Sequence, residues 1–284
     1  MDKFIGFIGQ GWIGKNYADD FEERGYQVVR YSLEEPYLQN KKKISECDIV
    51  FIAVPTPTTP DGFDNSIVGS AVRLIGKNKI AVIKSTILPG TTELIQSENP
   101  DIFLFHSPEF LSVSNAYEDS RHPQRNIVGM PVDNEEYRIK AKEVLAVLPQ
   151  ADFELVTSAK EAELFKYLRN CFFYTKVVYM NMVYDLAKNL GCKWEVLRDI
   201  MSNDPWIGSM HIDPIHKTGR GAGGECFIKD YSALAKFYKE NVKDFSGDEI
   251  FSANQKKNIE LLIDSQKDLD LLKGVYGDDV AKKQ

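Results

Sequence analysis

The N-terminal stretch KFIGFIGQGWIGKNYADDFEERGYQVVRYS constrains the fold more than any other part of the chain. Lys3 to Ile8 reads as a short apolar strand, an amphipathic helix runs on to about Gly25, and Gln27 to Tyr31 reads as a second strand. Between strand and helix, Gly9, Gly11 and Gly14 form G-x-G-x-x-G, with Trp12 and Ile13 inside the pattern. In this context the glycines predict a dinucleotide site. The first makes the tight turn, the second admits a pyrophosphate, and the third lets helix and strand pack closely. The helix N-terminus offers free N–H groups and the positive end of its dipole to phosphate. An acidic residue at the end of the second strand usually holds the ribose of NAD. Ser32 stands there instead, after Arg30 and Tyr31, with Glu34 and Glu35 just beyond. NAD is the expected cofactor. NADP stays open, with Arg30 as the candidate partner of a 2′-phosphate.

Alternation of strand and helix continues through the first half. Strands are expected at 48–54, 79–84, 102–106, 126–129 and 153–156, and helices at 66–75, 90–96 and 134–148. This order predicts an α/β fold, a Rossmann-type doubly wound parallel sheet with ligands at the C-terminal ends of its strands. The second half reads as all-helical. Ser158–Glu161 (SAKE) is a capping box that opens one long central helix, running to about Leu190 and ending at Gly191. Further helices are expected at 194–202, 230–241 and 252–272. The domains expected are therefore 1–157, 158–272 and a flexible tail at 273–284.

Composition narrows the function. The formal net charge of -7 gives no electrostatic case for nucleic acid or an anionic membrane. No apolar run is long enough to span a bilayer. The first residues form a strand, which predicts no signal peptide. The four cysteines and four histidines show no metal-ligand spacing, so no metal is expected and a reducing, cytoplasmic setting is. In GRGAGGECFIKD, Gly219 to Asp230, Cys226 ends a glycine-rich loop with Lys229 and Asp230 behind it. A cation beside a thiol favours the nucleophilic thiolate. Lys166 and Asn170, four apart, share one helix face.

Six motifs then fall in one order: GQGWIG at Gly9, VPTPT at Val54, KSTILPGT at Lys84, SPEFL at Ser107, FKYLRN at Phe165 and GGECFIKD at Gly223. Together they resemble the UDP-glucose/GDP-mannose dehydrogenase family. The resemblance implies NAD-dependent oxidation of the C6 hydroxyl of a nucleotide sugar, twice, to the carboxylate. It implies that Lys166 and Asn170 stabilise a developing alkoxide and that Asp230 is the base. It implies that Cys226 carries a thiohemiacetal and then a thioester. Thr86 and Glu109 are implied to order water near the thiol. Val54, Pro55, Thr56, Ser85, Thr86 and Lys229 are implied to lie near the cofactor, and Phe110, Leu111, Gly221, Gly223 and Gly224 near the substrate, with Lys166 and Asn170.

The resemblance also marks departures. A second α/β domain that binds the nucleotide, roughly a hundred residues or more, is expected to be absent. Val113 replaces a carboxylate, and Trp206 replaces an arginine that reaches a neighbouring subunit. The long helix predicts a homodimer, and a separate protein supplying the missing domain is a second possible partner. Two other readings stay open. One is a β-hydroxyacid dehydrogenase-like enzyme making a single hydride transfer. The other is a non-catalytic nucleotide-binding module.

Overall fold

The structure is a computed structural model that describes residues 3–282. The chain divides into two compact units, Met1–Thr56 with Asp64–Lys166, and Pro57–Phe63 with Tyr167–Gln284. The division falls one helical turn or more past the expected boundary at 157/158, and it assigns residues 57–63 to the second unit.

The first unit is built on seven strands: β1 Phe4–Ile8, β2 Gln27–Tyr31, β3 Ile49–Ile52, β4 Ile80–Ile83, β5 Phe103–His106, β6 Arg125–Met130 and β7 Phe153–Ser158. They lie in the order β2-β1-β3-β4-β5-β6-β7. Every neighbouring pair is parallel except β5 and β6, which are antiparallel where His106 meets Gly129. The sheet is therefore mixed rather than wholly parallel. Strand direction leaves no mark on a run of apolar residues, so the sequence carried no sign of the reversal. β3 (IVFI) and β4 (IAVI) are buried at every residue, as strands covered on both faces are.

Around the sheet lie α1 Trp12–Glu23, α2 Ser66–Val72, α3 Thr91–Glu98, α4 Ala116–Arg121 and α5 Glu135–Val147. The short α4 has no counterpart among the expected helices. Phe7 and Phe51 stack at 5.2 Å between centroids, and Phe21 of α1 closes on both at 5.3 and 5.4 Å. This aromatic contact fastens α1 to β1 and β3, on either side of the point where strand order reverses.

The long helix α6 spans Ala159–Asn189. Its capping box forms as read: Glu161 N–H donates to Ser158 Oγ at 3.3 Å, and Ser158 N–H to Glu161 Oε2 at 3.0 Å. At its end Gly191 takes φ +70°, with Cys192 N–H donating to Ala187 O and Gly191 N–H to Lys188 O. Those two bonds make a Schellman motif.

The second unit continues with α7 Trp194–Asn203, α8 Gly224–Val242, α9 Phe245–Asp264 and α10 Leu269–Tyr276. It also holds two short hairpins, 58–59 with 62–63 and 215–216 with 219–220, so it is mainly rather than wholly helical. Three expectations are corrected here. α8 starts at Gly224, six residues early, so Cys226 sits in a helix instead of ending a loop. The helix expected over 252–272 is two helices broken at 265–268, where Gln266 and Asp268 take positive φ. The tail expected to fray from 273 instead carries the end of α10, with Val275 buried, and a 3-10 turn at Asp278–Lys282. Residues 283 and 284 of that tail lie outside the described residues.

Candidate active site

In the first unit the glycine motif does what its chemistry requires. Gly9 has φ +92°, and a Cβ there would sit 2.2 Å from Ala53 O. A Cβ on Gly14 would sit 1.9 Å from Gly9 O. Both positions are closed to any side chain. Gly11 is the reverse case: nothing lies within 4 Å of where its Cβ would be. It is also the N-cap of α1, where it brings no side chain to cap the first N–H groups of the helix. Trp12 is exposed beside it, and Ile13 packs against the core. A dinucleotide pyrophosphate fits this cradle, which fixes the backbone on two sides and leaves it open on the third.

The loop after β3 forms the other wall. Ser85 Oγ donates to Val54 O at 2.7 Å, so the loops after β3 and β4 are tied together. Ser85 and Thr56 are buried, Pro55 is exposed and Thr86 is half-buried. Ser32 bonds within its own turn, donating to Glu34 O at 2.9 Å. Arg30 is held by Glu22 at 3.0 and 2.8 Å and by Asp19 at 2.6 Å. Its guanidinium is already matched by carboxylates, which takes from NADP the one cation the sequence offered.

At the C-terminal ends of β4 and β5 lies a buried polar cluster that the sequence showed only in part. Glu109 Oε2 meets Lys84 Nζ at 3.1 Å, and both side chains are almost wholly buried. Glu109 Oε1 accepts from Phe110 N–H at 2.7 Å and Leu111 N–H at 2.9 Å. Burial raises the carboxyl's pKa, but Lys84, Tyr17 and the Phe110 N–H outweigh it and hold the group below its usual range. Glu109 is thus an ionised carboxylate, with Oε1 held by backbone N–H groups and Oε2 facing the Lys84 ammonium. Tyr17 is pushed well above its ordinary value by burial and by Glu109. His106 is driven down to about 3, first by burial and then by Lys84 and Lys166, so it is neutral. Lys166 Nζ donates to Glu109 O at 2.6 Å and lies 5.5 Å from the centroid of the Phe110 ring. Lys84, Tyr17 and His106 went unread because each is an ordinary residue on an ordinary element. Only KST beside SPE hinted at the first.

In the second unit, Asp230 is buried with both oxygens paired: Asn170 Nδ2 donates to Oδ2 at 2.7 Å, and Lys229 Nζ meets Oδ1 at 2.6 Å. Cys226 is exposed at the third residue of α8, one turn before Asp230 and on the same face. Helix N-termini favour anions, including thiolate. The structure therefore brings together Asn170, Lys229 and Asp230, and places Cys226 next to them along α8. Of the loop glycines, Gly224 has φ +80° and open space around it. A Cβ on Gly221 would meet Asn258 Oδ1 at 3.0 Å, and one on Gly223 would meet Asp268 Oδ2 at 2.1 Å. These two glycines make room for the protein's own side chains. Among the described residues there is no metal-ligand cluster, and no helix is long and apolar enough to cross a membrane.

Comparison with known proteins agrees with both halves. Residues 35–146 match the NAD binding domain of the UDP-glucose/GDP-mannose dehydrogenase family, and residues 160–258 match its central domain. The cofactor of this domain is NAD. A UDP-glucose 6-dehydrogenase of Bacillus subtilis is 30% identical over 85% of this chain and 55% of its own length. The chain spans about half the length of the curated relatives it matches. Among solved structures, a UDP-glucose dehydrogenase from Pyrobaculum islandicum superposes with a TM-score of 0.79 at 25% identity, covering 93% of this chain and 70% of that one. A 3-hydroxyisobutyrate dehydrogenase of Mycobacterium tuberculosis superposes at 0.73 with 15% identity, covering 97% and 99%, a likeness of fold alone.

Proposed function

Because this chain belongs to the UDP-glucose/GDP-mannose dehydrogenase family, we propose that it oxidises the primary alcohol of a UDP-glucose-like nucleotide sugar to a carboxylate. The observation that carries the reading is the buried Asn170–Asp230–Lys229 cluster one turn from the exposed Cys226. When bound, NAD supplies the hydride acceptor, two molecules for each sugar.

The chain's own residues do the rest. Lys166 and Asn170 donate hydrogen bonds to the alcohol oxygen as negative charge builds on it. Asp230 takes the hydroxyl proton, directly or through water, as the first hydride leaves the alcohol carbon for the cofactor and the aldehyde forms. The Cys226 sulfur then adds to the aldehyde carbon to give a thiohemiacetal. Loss of the second hydride leaves a thioester. Water breaks the C–S bond, supplies the second oxygen of the carboxylate and returns the thiol. Thr86 and Glu109 order that water. Gly9, Gly11, Gly14 and the loop from Val54 to Thr56 hold the cofactor.

We assign the cytoplasm as the setting, in keeping with four cysteines that form no disulfide. A second copy of the chain is the assigned partner. Leu168, Phe172, Tyr179, Met182 and Leu186 of α6 are all exposed apolar or aromatic residues. A stripe this long on one helix favours burial against a partner.

NADH formation with UDP-glucose and excess NAD tests the reading. Two NADH per sugar, abolished by Cys226→Ala, are expected. One NADH per substrate, indifferent to Cys226, would instead support the single hydride transfer of a β-hydroxyacid dehydrogenase. NAD binding without turnover on UDP- or GDP-sugars would support a non-catalytic module.

A further inference from the structure

The backbone of the glycine loop is held almost residue by residue by side chains from one segment, 258–268. Lys267 Nζ donates to Gly221 O at 2.9 Å and to Gly219 O at 3.4 Å. Arg220 N–H donates to Ser265 Oγ at 3.0 Å. Asn258 takes Ala222 from both sides, accepting from its N–H at 2.6 Å and donating to its carbonyl at 3.0 Å. Gly224 N–H, the first of α8, donates to Asp268 Oδ2 at 2.7 Å.

The glycines fit the same mould. A Cβ on Gly219 would strike Ser265 Oγ at 2.5 Å, and one on Gly223 would meet Lys267 Cε at 2.8 Å as well as Asp268. Lys267 is buried, and among the described residues it forms no ion pair. Its ammonium donates to the loop carbonyls of Gly219 and Gly221, and burying a charge on such terms is costly. Burial lowers its pKa, with Asp268 acting against the shift. Ser265, Lys267 and Asp268 lie past residue 258, where the central-domain match ends.

We infer that Lys267 and Asp268 are positioning residues for Cys226. Lys267 fixes the course of the glycine loop, and Asp268 fixes the first turn of α8, which carries the thiol two residues later. The inference rests on the role proposed for Cys226. The break between α9 and α10 is then the device that turns both side chains onto the loop, which an unbroken helix would not present in this way.

Hydrogen exchange on the full chain, with iodoacetamide labelling of Cys226 against the exposed Cys192 as internal reference, tests it. Asp268→Ala is expected to speed exchange of the Gly224 amide at least tenfold. Asp268→Asn, which keeps an acceptor oxygen, is expected to hold it near wild type. Lys267→Met is expected to speed exchange across 219–224 at least tenfold and to change the Cys226/Cys192 labelling ratio at least fivefold. Exchange in α7 should stay as it was. With UDP-glucose and NAD, Lys267→Met should lower kcat at least tenfold and leave KM for NAD within twofold. Unchanged loop exchange and labelling would overturn the inference. So would faster exchange spread through α7, which is the signature of general loosening. A wild-type protein without turnover would count against the proposed reaction alone, since exchange and labelling need no substrate.

Discussion

Lys84 shows how a single residue can fix a site without touching its chemistry. Its ammonium meets Glu109 at 3.1 Å, sits 4.6 Å from the centre of the Tyr17 ring and helps keep His106 neutral. Removing one partner of a buried pair strands the other charge, at about 3–5 kcal/mol, whereas removing both can be nearly neutral. Lys84→Met should therefore lower unfolding stability by about that amount in a urea titration, and Lys84→Met with Glu109→Gln should recover most of it. Equal losses in the single and double variants would mean that the pair contributes little. The dinucleotide glycines were legible because each has a geometric reason that only glycine meets. Lys84, Tyr17 and His106 were not, because their importance arises when separate segments of chain converge.

Helix α6 is tied to α3 by one buried carboxylate. Glu163 accepts from Gly90 N–H at 2.6 Å, Thr92 N–H at 2.8 Å and Thr92 Oγ1 at 2.5 Å, so it caps the N-terminus of α3 from a distant helix. Burial lifts its pKa to about 7, against the pull of those same hydrogen bonds. The folded protein thus holds this proton more tightly than the unfolded chain, whose carboxyl titrates near 4.3. Stability is highest below the unfolded value and falls as pH rises through the folded one, by roughly 4 kcal/mol at most. Glu163→Gln cannot titrate, so its melting temperature should gain on wild type between pH 5 and pH 8; parallel curves would refute the assignment. The bounds of α6 were legible because a capping box and a terminal glycine mark both ends. The break after α9 was not, since 265–268 contains neither glycine nor proline and apolar periodicity resumes at Leu269. The start of α8 was missed for the opposite reason, as glycines at 223 and 224 read as loop.

Two compact units share one chain that passes between them three times, after Thr56, after Phe63 and after Lys166. The alternation of strand and helix announced the first unit, but nothing in PTTPDGF marked that hairpin as belonging to the second. There Lys236 holds Asp61 O at 2.8 Å. If α6 is the seat of a dimer, light scattering should return twice the chain mass, and Phe172→Lys with Leu186→Lys should return one. A single chain mass for the wild type would end that reading. The placement of the three tryptophans adds an optical consequence. Trp12, 60% exposed, lies beside the dinucleotide cradle of the first unit. Trp206, 95% exposed, lies on a loop of the second unit, and Trp194 is buried. Emission from Trp12 answers to whatever occupies the cradle, and emission from Trp206 to whatever covers its loop. With Trp206→Phe or Trp12→Phe to separate the two signals, events in each unit can be followed in real time without an added label.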